Sequence, residues 1–245
     1  SITFAFVATH NHFVLDRGGK VFKQSAPVIK LPESASKDDH LALLGILNSS
    51  TACFWLKQVS YPKGGDPEAW SDRYEFTGTK LQEFPLPTSL PLEYGRKLDE
   101  LAQQISPTEA SAICNKEIPS RSRLDEAKNE YARIRGQMVA LQEELDWESY
   151  HLYGLLSGDE IADLKASWEI LPEVKPGERA FEIVLARKIA SGQVDTQWFA
   201  RHGSTPITEV PAHWPEEYRR VVEKRIEFIE KRKDIALLER PEYKR

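Results

Sequence analysis

The sequence predicts an α+β protein, with a mixed α/β module over residues 1–91, a helical spacer over 92–156 and an α-helical region over 157–245. Three observations predict it. Ile2, Phe4, Phe6 and Ala8 alternate with Thr3, Ala5, Val7 and Thr9, the period-two pattern of a strand. Leu124, Ala127, Tyr131, Ile134, Met138, Leu141 and Leu145 recur at spacings of three and four, which is a coiled-coil-like helical seam. Beyond it, helix-start and helix-stop signals dominate, and strand signals do not return.

After the first strand, Asn11–Leu31 reads as two short strands joined at Gly18-Gly19 and followed by a third. Ser36 precedes Asp39 by three residues, a capping pattern for a helix carrying Leu41, Leu44 and Leu47. Asn48-Ser49-Ser50 interrupts that helix, and Ala52–Leu56 continues as a second buried piece. Tyr61–Asp72 is expected to be a loop, because it holds two prolines and two glycines. Arg73–Phe76 is read as a further strand, and Leu81–Pro91 as a proline-punctuated exit. Leu98, Leu101 and Ile105 mark a helix ending near Pro107, on which the long seam is expected to pack antiparallel. Ser157–Glu160 caps a helix expected to reach about Trp168, and Phe181, Val184, Leu185 and Ile189 share one face of the next. Pro215 is expected to open a last long helix running to about Glu239.

Composition narrows the function classes. With 40% hydrophobic and 29% charged residues, the chain has the make-up of a soluble protein. No apolar run reaches the ~18 residues a membrane helix needs. Cys53 and Cys114 form neither a metal-like spacing nor a disulfide framework, so a reducing, cytoplasmic setting is expected. The chain opens at Ser1 without an initiator Met and holds a single Met, Met138, and is therefore expected to be a piece of a longer polypeptide.

Charge is unevenly placed. Arg17, Lys20, Lys23 and Lys30 stand against the single anion Asp16 within Asn11–Leu31, four cations to one anion, in a chain of formal net charge -5. A local inversion of this kind marks a face that could meet a polyanion. In that reading the four cations contact phosphates, while Asn11, His12, Gln24 and Ser25 offer donors and acceptors for base edges. The plainer reading is a solvated hairpin with polar turn residues. The Tyr61–Arg73 stretch carries Lys63, Trp70 and Arg73; the two cations are candidate DNA contacts, and Trp70 either stacks on a base or lids the Leu41–Leu47 helix. Cations of the last helix alternate with acids, as in Glu216–Arg220 and Glu227–Lys231, and are expected to pair among themselves. His10 and His12 lack further ligands at zinc spacing, and no P-loop, Gly-rich dinucleotide turn, GxSxG motif or convincing Ser-His-Asp order is present, so no catalytic residue is assigned.

Four segments carry a family resemblance: Asn11–Leu31 (NHFVLDRGGKVFKQSAPVIKL), Leu41–Lys57 (LALLGILNSSTACFWLK), Leu81–Pro87 (LQEFPLP) and Glu143–Leu155 (EELDWESYHLYGL). In this order they resemble the target-recognition region of fused adenine-specific DNA methyltransferases, type IIG-like enzymes and above all the PglX-like methyltransferases of BREX phage-defence systems. The resemblance implies duplex DNA as partner and a methyl transfer from S-adenosylmethionine to the N6 of a flipped adenine. The family's Asn/Asp-Pro-Pro-Tyr/Phe motif and its Gly-containing cofactor motif have no match here. The resemblance therefore implies that the cofactor and the chemistry belong to an N-terminal methyltransferase domain of the same polypeptide, and that this region chooses the sequence, with other defence-system proteins as further partners. The rival readings are a helical scaffold that binds a partner protein through the Leu124–Leu145 seam without touching DNA, and a DNA-cleaving enzyme, against which the absence of a credible acidic metal site counts.

Overall fold

The computed structural model describes residues 1–65 and 68–244. Helix makes up 54% and strand 7%, with the strands in small antiparallel sheets, so the α+β class holds. Strand β1 (Ile2–Phe4) is the centre of a sheet whose other members are β3 (Phe13–Leu15) and β4 (Val28–Ile29). Ile2 faces Leu15 on one side and Ile29 on the other. The alternation of Ile2–Ala8, expected to make one strand, is split. At Ala5–Phe6 the chain crosses out, and β2 (Val7–Ala8) joins a second sheet, at whose centre lies β6 (Arg73–Glu75) with β5 (Tyr61–Gly64) on its far side. Phe6 holds the crossing: its N–H donates to the Ser25 carbonyl (3.1 Å) and its carbonyl accepts from the Phe76 N–H (2.7 Å).

The hairpin expected at Gly18-Gly19 does not form. Strands β3 and β4 take opposite edges of β1, and both glycines sit at positive φ, 96° and 75°, where the chain turns into a loop instead of a return strand. On its outer edge β3 is completed by a side chain. Asn48 Oδ1 accepts from the Phe13 N–H (3.1 Å), and Asn48 Nδ2 donates to the Phe13 carbonyl (3.0 Å).

Helix α1 (Lys37–Leu47) starts at the reciprocal Ser36–Asp39 capping box, and α2 (Ser50–Val59) is capped by Ser49. Where a loop was expected, β5 (Tyr61–Gly64) pairs with β6 (Arg73–Glu75). Pro62 is tolerated because β5 is an edge strand with a register shift between Pro62 and Gly64. The part of that loop at 66–67 lies outside the described residues. The short α3 (Gly78–Gln82) precedes α4 (Leu92–Ile105), which ends just before Pro107 as the sequence predicts. Helices α4 and α1 cross at backbone contact: a Cβ on Gly95 would lie 2.1 Å from the Leu41 carbonyl oxygen.

After α5 (Ala110–Cys114), α6 (Arg121–Leu152) runs for 32 residues. Ala127, Ile134, Leu141 and Leu145 of the expected seam are buried, and α6 packs on α4. From Ala140 the helix becomes buried on nearly every face, including Glu143, Glu144, Asp146 and Ser149. It is the axis on which the rest assembles: α7 (Gly158–Leu164), α8 (Ala180–Ala190), α9 (Trp198–Arg201), α10 (Glu216–Lys231) and α11 (Lys233–Leu238). Helix α7 stops at Leu164, short of Trp168. The expected single last helix breaks at Arg232, whose backbone is extended while its guanidinium bonds Glu160, Asp234 and the Leu155 carbonyl.

Two apolar cores result. One gathers Ile2, Phe4, Phe13, Ile46, Leu56 and Phe76; the other gathers Trp147, Phe181, Ile183, Trp198, Ile226 and Ile235. The segment Pro241–Lys244 ties them. His10 Nε2 donates to the Pro241 carbonyl (3.2 Å), Lys57 Nζ to the Glu242 carbonyl (2.6 Å), and Tyr243 packs edge-on against Phe54. Lys244 is fully buried, with its ammonium 2.8 Å from Asp146, 3.0 Å from Glu239 and 3.1 Å from Glu143.

Candidate nucleic-acid interface

The basic stretch becomes a loop, Asp16–Pro27, anchored at both ends. At its start Asp16 accepts from the Ser1 hydroxyl (2.9 Å) and the Gly18 N–H (3.1 Å), and these two bonds hold its carboxyl below the ordinary carboxylate range. Arg17 Nη2 donates to both carboxylate oxygens of the buried Asp99 of α4, at 2.5 and 2.7 Å. At the far end the Ser25 and Pro27 carbonyls accept from Phe6 and Phe4 N–H, and the Thr3 hydroxyl donates to Pro27 (3.1 Å). Between the anchors, Lys20, Val21, Lys23, Gln24 and Ser25 face solvent, with Val21 98% exposed.

The expected contact residues therefore divide. Lys20, Lys23 and Lys30 are exposed and make no ion pair with a described residue; Gln24 and Ser25 lie beside the first two on the same loop. Arg73 is exposed opposite Gly64 in the β5–β6 pair. Because Ser25 and Phe76 both bond to Phe6, the loop and this second sheet hang from one backbone crossing. Lys63 is half-exposed but paired with Glu75, and Arg17 is committed to Asp99. His12 is exposed at the foot of β3, and its carbonyl accepts from the Ala5 N–H (3.4 Å). Asn11 leaves the candidate set. It is fully buried, and its amide donates to the Leu47 (2.6 Å) and Ser49 (3.0 Å) carbonyls, fastening the α1–α2 junction.

Trp70 does not lid the Leu41–Leu47 helix. It packs edge-on against Trp198 at 5.3 Å, and its Nε1 donates to Glu68 and Thr196. Sequence reasoning missed Val21 and Tyr61, which is 72% exposed, because both were placed inside secondary structure or an undifferentiated loop. The available signal for Val21 was its position between Lys20 and Lys23, directly after two glycines. No group of three or more His, Cys, Asp or Glu among the described residues is arranged to hold a metal ion, and no described helix is long and apolar enough to cross a membrane.

The comparisons bear on what this surface serves. Over its whole length the chain is 55% identical to part of the adenine-specific methyltransferase PglX of Streptomyces coelicolor. The chain is PglX-like from end to end. It spans 21% of that relative's length. A family described as a domain of unknown function (DUF7008) matches residues 138–245, which takes in the second half of α6 and every later helix of this PglX-like chain. No solved structure matches it.

Proposed function

We propose that this chain is the DNA-recognition portion of an adenine-N6-specific, S-adenosylmethionine-dependent DNA methyltransferase of a BREX-like phage-defence system. The observation that carries the reading is the Asp16–Pro27 loop: pinned at both ends, it leaves Lys20 and Lys23 exposed and outside any ion pair with a described residue, on a chain 55% identical to part of a methyltransferase. Lysines here hold phosphates, with Lys30 and Arg73 as the next cations out, while Gln24, Ser25 and His12 supply donors and acceptors toward base edges. Val21, standing uncovered between the lysines, meets an apolar feature such as a thymine methyl. The rigid anchoring lowers the ordering cost of binding.

S-adenosylmethionine does not fit the groove between β3 and helices α1, α4 and α6. Of the polar groups lining it, Asn48, Gln142, Arg17 and Asp99 already bond within the protein and Arg179 pairs with Glu182, which leaves only the cation Arg135 at the rim and no donor set for the cofactor. Methyl transfer is accordingly assigned to the part of the polypeptide outside these residues. The test is binding of the chain to labelled duplex DNA across a salt series, beside a Lys20→Ala/Lys23→Ala variant. The expected result is salt-weakened binding with a log–log slope shallower in the variant by about 0.9 for each lost contact. Equal slopes would remove the loop from the interface, and no binding at low salt would favour a scaffold role.

A further inference from the structure

Between β3 and helices α1, α4 and α6 lies an open groove of about 620 Å³. Its apolar lining comes from Leu15, Leu98, Ile105, Tyr131, Met138 and Val139, each only half-buried. Helix pairs in a finished protein ordinarily close such side chains under a third element. Nothing within the described residues covers these.

The volume alone would admit a small molecule, but a ligand pocket also needs convergent polar groups that are free to orient its guest. Here they are spent. Asn48 serves the Phe13 backbone, Gln142 donates to the Asn48 carbonyl and Asp146 (both 3.1 Å), and Arg17 and Asp99 hold each other. What remains uncommitted is an apolar surface with one exposed cation at its rim, Arg135, which makes no ion pair with a described residue. One cation is too little for a nucleic-acid track. An apolar polypeptide segment bearing one acidic side chain matches it. The source of such a segment is set by length, since the chain spans 21% of the PglX relative and four-fifths of a protein of that size lies outside it.

We infer that this groove seats an apolar segment of the same PglX-like polypeptide from outside residues 1–245, with an acidic side chain of that segment against Arg135. The inference rests on the reading of the chain as a portion of a longer polypeptide. It is independent of where DNA binds.

Ala102, exposed on the α4 wall of the groove, supplies the probe. Cys53 is buried and Cys114 exposed, so Ala102→Cys is placed in a Cys114→Ser background and its maleimide labelling rate compared in the 245-residue chain and in the full-length polypeptide. Labelling is expected to be at least tenfold slower in the full-length polypeptide, and to speed up there when Arg135→Glu is added. Equal rates in the two proteins would overturn the inference. A rate in the 245-residue chain that falls as its own concentration rises would also overturn it, because a second copy would then be the occupant. A gene encoding nothing beyond these residues would sink the portion reading itself, whereas the salt-slope experiment on Lys20 and Lys23 fails or succeeds without touching the groove.

Discussion

Lysines at the two ends of this chain do opposite things. In the Asp16–Pro27 loop, Lys20 and Lys23 face water and make no ion pair with a described residue. At the other end the Lys244 side chain is fully buried and sits among Glu143, Asp146 and Glu239, while nearby Arg225 is buried against Glu144 at 2.7 Å. The same charge is an open contact in one place and a structural peg in the other. The difference lies in what long-range packing brings alongside, and it decides which substitutions harm the fold and which harm only binding.

The comparison can be broken most directly at Arg225. Its guanidinium bonds Glu144 and the Leu164 carbonyl, so Arg225→Met leaves a buried carboxylate without its cation. A loss of about 3–5 kcal/mol is expected from the denaturant midpoint. A loss under about 1 kcal/mol would mean that the pair is no peg. Gly95→Ala tests the neutral counterpart, because the added Cβ would collide with the Leu41 carbonyl where α1 meets α4. Its expected cost is about 1–3 kcal/mol, read from thermal or chemical melting.

A pH series sharpens the picture of the Lys244 cluster. Burial is the largest influence on Glu143 and pushes its carboxyl up to about 7 from an ordinary 4.5, against the opposing pull of Lys244. A carboxyl that holds its proton more tightly when folded stabilises the fold at low pH. That contribution is withdrawn as pH rises from about 4.5 through about 7. Glu143→Gln, which cannot ionise, should therefore lose less stability than the parent chain between about pH 5 and about pH 8. Identical pH profiles would show that the group does not titrate in that window. The smallest effect belongs to the loop. Lys20→Ala/Lys23→Ala should move stability by no more than about 0.5 kcal/mol, because neither side chain is paired in the fold. A larger change would identify these lysines as structural, as Arg17 is.

Much of the fold was legible because its signals are local. The capping boxes at Ser36–Asp39 and Ser157–Glu160 and the pairs Glu216–Arg220 and Glu227–Lys231 each involve residues three or four apart, and all are present. What was not legible depends on distant partners. The first strand splits because Ser25 and Phe76 both claim Phe6, and Gly18-Gly19 opens a loop because β1 offers separate edges to β3 and β4. The last-helix cations looked alike in sequence, yet Arg225 points inward and Lys231 outward. In the candidate interface the cations were nameable from composition, but which of them were already spent, Arg17 on Asp99 and Lys63 on Glu75, was not. Asn11 looked like a base reader because amides read bases, and it proved to be a buried bracket for the same hydrogen-bonding reason.

The Pro241–Lys244 tie has a consequence for how the protein is made. Lys57 finds the carbonyl of Glu242 across 185 residues of chain. At a synthesis rate of ~5–20 residues per second, Lys57 waits roughly 10–40 s for that partner to emerge. During that interval the first module exists with the seats at His10, Phe54 and Lys57 unfilled. The nascent chain thus carries a time window in which the first module is made and cannot yet be fastened, and slowing translation within residues 58–241 would lengthen it.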